Sequence, residues 1–373
     1  MSPAYPTGTG PHVPAPLTGG SSAPPCEVYD VALLDLDGVV YVGLDAVPGV
    51  PEALGAARTA GMRLGFVTNN AARTPEQVAA HLTELGVPAR TDEVITSSQA
   101  AATVVAGLLE PGARVLAVGG PGVAAALTAA GLTVVDSAED RPAAVVQGYG
   151  AGVGWTQLAE AVVAVRNGAR HVATNTDATI PSPRGPLPGN GAMVGVVRAV
   201  AGQEPQVTGK PDPAMHAECV RRTGARRPLV VGDRLDTDIE GARRAGAASL
   251  LVLSGVTYPA LLLAAGPQHR PDLLAEDAAG LLRPHPPVIP AGPSWTCGRW
   301  TVRAAEAEDV LVLQAGGAGQ DSDRLDGLRA LCAAHWSRHP DSGAPVRVVA
   351  ADGDADEALG HWGLQDPGPV RPS

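Results

Sequence analysis

The chain has 373 residues, enough for two or three domains and a substantial buried core. Hydrophobic residues make up 45% and charged residues 17%, so most of it is globular, while a net charge of −11 and a pI near 5.3 without basic runs make nucleic acid or an anionic membrane unsuitable partners. Of 27 basic residues only Lys210 is a lysine, and asparagine occurs five times, so positions holding these avoided types are worth locating.

Residues 1–28 are dominated by Pro, Gly, Ser and Thr and are expected to form a disordered tail, with no basic and apolar regions of the kind a signal peptide carries. Val31–Leu34 is an apolar run of the kind buried on both faces of a parallel sheet, and it leads into Asp35-Leu36-Asp37-Gly38. Leu64–Thr68 is a second strand, followed by Asn69 and Asn70. Thr74-Pro75-Glu76-Gln77 opens a helix with a capping-box pattern, Val78, Leu82 and Leu85 form its apolar stripe, and Gly86 ends it. Glu93–Ser97 is a third strand.

The gap from there to the next core candidate, Gln206–Gly209, is too long for one crossover, so 98–190 reads as an inserted α/β domain. Its strands are Val115–Val118, Thr133–Val135, Ala144–Val146 and His171–Ala173. Gly120-Pro121-Gly122-Val123-Ala124-Ala125 has the outline of a dinucleotide fingerprint, with Asp136 beyond it. This leaves open a second class of function, a dinucleotide-dependent oxidoreductase, although Pro121 removes a backbone donor.

Core segments 29–97 and 191–283 flank the insertion. Gln206–Gly209 precedes Lys210-Pro211, Leu229–Gly232 precedes Asp233 and Asp238, and Ser249–Leu253 follows. The charge-free stretch Ala245–His269 reads as a buried strand, a turn and a helix rather than a membrane span. Residues 284–294 form a Pro-rich linker, 295–365 a small α/β domain and 366–373 a tail. The small domain is expected to hold a strand at Val310–Leu313, a helix over 323–338 and a strand at Val346–Ala350. Cys332 and His335 on that helix read as core or core edge, and Gln314 to Gly319 as a plain Gly-rich turn, although it also fits a Q-x-x-G-x-G pyrophosphate loop. Cys26, Cys219, Cys297 and Cys332 form no CxxC pair, which fits a reducing, cytoplasmic setting without zinc or disulfides.

Ligands of an open parallel sheet sit beyond the carboxyl ends of its strands. Four polar clusters fall there. One carboxylate of the Asp35/Asp37 pair can attack phosphorus while the other protonates a leaving alkoxide. Carboxylates facing a phosphate dianion require a cation, and an all-oxygen set with Asp35 and Asp233 suits Mg2+. Lys210 and Thr68 can stabilise the transferring group, and Asp238 can orient a metal-bound water or Lys210.

These four motifs, Asp35 to Val39, Thr68 to Asn70, Gly209 to Pro211 and Gly232 to Ile239, resemble those of the haloacid dehalogenase superfamily. The insertion is similar to the α/β cap of its NagD-like, p-nitrophenyl-phosphatase branch, and the 295–365 domain, whose Gln314 to Gly319 loop fits that of acetyl-CoA-dependent acyltransferases, resembles the acyltransferase-like end of actinobacterial glycerol-3-phosphate phosphatases. The resemblance implies a Rossmann-like, doubly wound parallel core with an inserted α/β cap. It implies Asp35 as nucleophile and Asp37 as acid/base, and Mg2+ held by Asp35, the Asp37 carbonyl and Asp233. It assigns phosphate binding to Thr68, Asn69, Asn70 and Lys210, a supporting place to Asp238, and makes Asn175 and Asp177 candidates for cap specificity. Pyridoxal-phosphate-cleaving relatives carry a histidine near Ile180, which argues against that substrate. The expected substrate is a small phosphorylated metabolite, foremost glycerol 3-phosphate. The alternatives are 2-phosphoglycolate, nucleoside monophosphates and sugar phosphates. A homodimer joined through the cap is compatible with it.

Overall fold

The computed structural model describes residues 16–180, 182, 184–305, 310–316 and 323–365. They fall into two units, one from 16–64 with 227–365 and the other from 65–226. Both are α/β, with parallel sheets covered by helices.

In the first unit, Val31–Leu34 pairs in parallel with Pro228–Gly232, which pairs with Ala248–Val252, which pairs with Leu273–Ala275. The first, third and fourth of these strands are buried at every position, as a sheet covered on both faces requires. The last has three residues between polar neighbours, too short to stand out in the sequence. A second sheet follows. Ile289–Ala291, Ser294–Cys297, Trp300–Ala304 and Val310–Ala315 form an antiparallel meander, and Arg347–Ala350 adds to it in parallel.

The helix Leu325–Arg338 is buried at every residue from Leu325 to Trp336. A helix buried all round has partners on all sides. Trp300, Val302, Leu311 and Leu313 of the meander share one apolar cluster with it, and so do Leu262, Leu263 and Leu274 of the parallel core. Trp336 Nε1 donates to the Leu263 carbonyl, and the Arg329 guanidinium to that of Leu274. Arg270 donates to the carbonyls of Ala265, His339, Pro340 and Ser342 at the helix's far end. Cys332 and His335 are buried, as expected of core positions.

Two expectations are corrected here. Residues 16–28 are not a tail and 284–294 are not a free linker. Leu17, His285 and Val288 are 2%, 3% and 2% exposed. Ser21 and His285 exchange backbone hydrogen bonds, and Leu17 accepts from Val288. Gly20 has φ +57° and a Cβ there would stand 2.4 Å from the His285 carbonyl, so that turn requires glycine. Each Pro-rich segment covers the other, a gain neither shows alone. Pro290 is tolerated because its strand lies at a sheet edge. Residues 1–15 and the expected tail 366–373 lie outside the described residues.

In the second unit, Phe66–Thr68 pairs in parallel with Val94–Thr96. The helix Pro75–Glu84 carries the expected Thr74–Gln77 capping box. A five-stranded parallel sheet has the order Gln206–Val207, Arg170–Ala173, Ala144–Gln147, Arg114–Val118, Thr133–Val135. Gln206–Gly209 was expected in the parallel core; only 206–207 are strand, and they form the edge of this inserted sheet. Its exposed Gln206 suits an edge, and Val31–Leu34 takes Pro228–Gly232 as its neighbour instead. Helix Asn190–Ala201 sends Val197 into a cluster with Leu158, Ala161 and Val165, so the insertion extends past 190.

The inserted sheet buries His171 at 2% exposure, with Nε2 3.1 Å from Gln147 Oε1. Burial pushes its pKa from 6.5 down to about 4. The unfolded chain therefore takes up a proton that the fold refuses between those values. Stability is expected to fall as pH drops from 6.5 toward 4, by up to about 3 kcal/mol from this group. Melting curves from pH 7 to 4.5 should show a shallower loss in His171→Gln than in the parent; equal slopes would acquit His171.

Candidate active site

Asp35 leaves the buried strand Val31–Leu34, and its N–H donates to the Val231 carbonyl at 2.8 Å. The turn after it is tight: Val40 N–H donates to the Leu36 carbonyl and Gly38 N–H to that of Tyr41. Asp35 is half-buried and Asp37 exposed, so consecutive odd positions face different surroundings. Asp233, 1% exposed, directly follows the strand Pro228–Gly232. Its Oδ2 accepts from Val256 N–H at 2.7 Å and its carbonyl from Thr257 N–H at 3.1 Å. Asp238 is also 1% exposed, and its Oδ2 accepts from Arg234 N–H at 3.2 Å.

One carboxylate oxygen from each of Asp35, Asp233 and Asp238 lies within 4.8 Å of the other two. Like charges so close repel strongly unless a cation stands among them. Three hard oxygen donors, two of them buried, fit Mg2+. Glycines make the cluster possible. A Cβ on Gly38 would stand 2.4 Å from Asp233 Oδ2, one on Gly255 2.0 Å from the same oxygen, and one on Gly232 2.2 Å from the Asp238 Cβ. Asp238, expected to stand behind the metal ligands, thus offers an oxygen in the same group as Asp35 and Asp233.

The segment 254–257 was missed by sequence reasoning. Besides the Val256 and Thr257 bonds to Asp233, Ser254 Oγ donates to the Gly38 carbonyl at 2.6 Å. The signal was present in Ser254-Gly255 directly after an apolar strand, but it lay inside a stretch remarkable only for lacking charge.

In the other unit, Thr68 ends its strand at 8% exposure, and its Oγ1 accepts from Asn70 N–H at 3.0 Å. The hydroxyl hydrogen stays available for an anion. Asn70 is exposed, with Oδ1 accepting from Ala72 N–H at 2.9 Å. Asn69, expected to hold phosphate, has its amide engaged with Lys210: Oδ1 accepts from Lys210 N–H at 2.8 Å and Nδ2 donates to the Lys210 carbonyl at 3.1 Å. Asn175, a specificity candidate, is 3% exposed. Its Nδ2 donates to the Asn69 carbonyl at 2.7 Å and its Oδ1 accepts from Asp177 N–H at 3.2 Å. The Asn175 amide nitrogen and oxygen thus each have a backbone partner. Asp177 is half-buried, with Oδ2 3.4 Å from Asn69 Nδ2.

The Gly120 fingerprint has a packing explanation. Gly122 N–H donates to the Ala72 carbonyl at 3.1 Å. Cβ atoms would stand 2.7 Å from Ala72 Cα at Gly120, and 2.4 Å and 2.5 Å from the Arg73 and Ala71 carbonyls at Gly122. The backbone of 71–73 fills the place a pyrophosphate would take, so the dinucleotide reading is dropped. Of the Gln314–Gly319 loop, residues 317–319 lie outside the described residues.

Comparison with known proteins agrees with this fold. Residues 32–133 match the haloacid dehalogenase-like hydrolase family, 207–281 a HAD-hydrolase-like family, and 297–364 a GCN5-related N-acetyltransferase-like domain. The chain is 44% identical over 344 residues to a D-glycerol 3-phosphate phosphatase of Mycobacterium tuberculosis, covering 90% of this chain and 94% of that protein. It is 38% identical over 231 residues to an acid sugar phosphatase of Staphylococcus aureus, covering 61% and 88%. The crystal structure of a M. tuberculosis glycerol phosphate phosphatase in complex with magnesium superposes with a TM-score of 0.81 at 42% identity, over 92% of this chain and 99% of that one. A p-nitrophenyl phosphatase from Archaeoglobus fulgidus gives 0.64 at 29%, over 68% and 98%.

Proposed function

Because the chain belongs to the haloacid dehalogenase-like hydrolases and is a Mg2+-dependent phosphatase of that family, we propose that it hydrolyses glycerol 3-phosphate to glycerol and phosphate. The observation that carries the chemistry is the trio of carboxylates from Asp35 and Asp233, each directly after one of two paired parallel strands, and Asp238 in the helical turn Leu235–Ile239. The substrate rests on a likeness to the glycerol phosphate enzyme that spans 94% of its length, the C-terminal region included.

In this reading an Asp35 oxygen attacks phosphorus, and the bond from phosphorus to the glycerol oxygen breaks. Exposed Asp37 gives its proton to that oxygen, then takes one from the water that cleaves the aspartyl-phosphate and restores Asp35. Asp35, Asp233 and Asp238, with the Asp37 carbonyl, would hold Mg2+, which when bound would supply charge neutralisation for the phosphoryl oxygens. The Thr68 hydroxyl, Asn70 and the Lys210 ammonium serve the remaining oxygens. Asp177 is the cap residue left to meet the rest of the substrate.

The same reading keeps the protein in the cytoplasm, in line with four free, buried cysteines. No helix among the described residues is long and apolar enough to cross a membrane. It also keeps a homodimer joined through the cap, whose helices Trp155–Arg166 and Asn190–Ala201 expose Trp155, Val163, Val196 and Val200.

Initial rates with Mg2+ on glycerol 3-phosphate, 2-phosphoglycolate, a nucleoside monophosphate and a sugar phosphate test the substrate. The highest kcat/KM is expected for glycerol 3-phosphate, by about tenfold or more. A higher value for any of the others would replace it.

A further inference from the structure

We propose that Asn69, Asn175 and Asn190 form a ladder of side-chain amides that fixes the position of Lys210, making them positioning residues for phosphoryl transfer rather than ligands of the substrate. This rests on the reading of Lys210 as a phosphate-binding group. The first rung is the two-point grip of the Asn69 amide on the Lys210 backbone, at 2.8 and 3.1 Å. The second holds Asn69 in turn: its carbonyl accepts from Asn175 Nδ2 and from Ser97 Oγ, each at 2.7 Å. The third holds Asn175, whose carbonyl accepts from Asn190 Nδ2 at 2.8 Å; the same nitrogen reaches the Gln147 carbonyl at 3.3 Å.

Each rung comes from a different element. Asn69 follows the strand Arg63–Thr68, Asn175 follows Arg170–Ala173, and Asn190 opens the helix Asn190–Ala201. Lys210 follows the two-residue strand Gln206–Val207, which by itself offers little to fix what comes after it. The ladder supplies that constraint. A primary amide presents a donor and an acceptor at short reach, which is what gripping a backbone N–H and C=O together demands. Aspartate would set a negative charge against carbonyl oxygens. The rungs close only over glycines. A Cβ on Gly209 would stand 2.1 Å from the Thr174 carbonyl and 2.7 Å from Asn69 Oδ1, and one on Gly191 2.2 Å from the Thr176 carbonyl. Asn175 and Asn190 are 3% and 2% exposed, so they serve the fold's interior and not a ligand. Three of the chain's five asparagines are used here.

A merely structural turn would affect stability whatever stands at position 210. A ladder acting through Lys210 costs turnover only while lysine stands there, and a double-mutant cycle on kcat separates the two. Asn175→Ala is expected to lower kcat about 10- to 100-fold, with KM for glycerol 3-phosphate changed by less than about threefold. In a Lys210→Met background the same change should cost less than about twofold. Should Asn175→Ala fail to fold, Asn190→Ala, one rung further out, is carried through the same cycle. A full multiplicative loss in the Lys210→Met background overturns the ladder while leaving the phosphatase reading intact. Undiminished turnover in Lys210→Met itself overturns the role of Lys210 and the ladder with it.

Discussion

Asp35→Asn is expected to abolish phosphate release, by at least about 10^4-fold in kcat, while the protein remains folded. The amide keeps the size and much of the hydrogen-bonding reach of the carboxylate. It lacks the anionic oxygen that attacks phosphorus. It also removes one of three charges gathered within 4.8 Å, so it weakens the cation site as well. Two measurements follow. Phosphate release from p-nitrophenyl phosphate should vanish in the variant and, in the parent, on chelation of Mg2+. The rise in melting temperature that Mg2+ confers on the parent should shrink in the variant, because a ligand that binds the folded state stabilises it in proportion to its affinity. Turnover surviving the substitution would remove Asp35 as nucleophile.

Lys210→Arg is expected to lower kcat by about 100-fold or more, although arginine fills every other basic position in the chain. The ammonium is a compact point charge on a slender stem, whereas the guanidinium is a broad plane with fixed donor directions. Lys210 is half-buried, its backbone is gripped by Asn69, and its ammonium lies near enough to the buried Cys219 thiol to pull against the burial that pushes that thiol up to about 12. A melting temperature near the parental value alongside the loss would place the effect in the chemistry. Near-normal turnover would show that any cation suffices and that the lone lysine is an accident of composition.

Much of this site was legible in the sequence because charged residues directly after apolar runs have few explanations in a parallel sheet. Asp35 after Val31–Leu34 and Asp233 after Leu229–Gly232 are such cases, and their strands are direct neighbours. The roles of the asparagines were less legible. Asn69 sits in the same motif as Thr68, yet its amide turns to Lys210, a choice made by a residue 141 positions away. The roles of Ser254 and Gly255 were hidden for the same reason, since their partners are Gly38 and Asp233.

Local pattern determined most of the parallel strands, the Thr74 cap, the four polar clusters and the insertion, because backbone periodicity and capping depend on residues within a few positions of one another. Tertiary structure decided what depends on distant partners. It brought an Asp238 oxygen within 4.8 Å of those of Asp35 and Asp233, moved Gln206–Val207 to the edge of the inserted sheet, and filled the Gly120 turn with the backbone of 71–73. It also buried two Pro-rich segments against each other and enclosed the helix Leu325–Arg338 on all sides. The physical reason is common to all of these. Desolvation and close approach are properties of pairs of surfaces, and a single stretch of sequence carries only one surface of each pair.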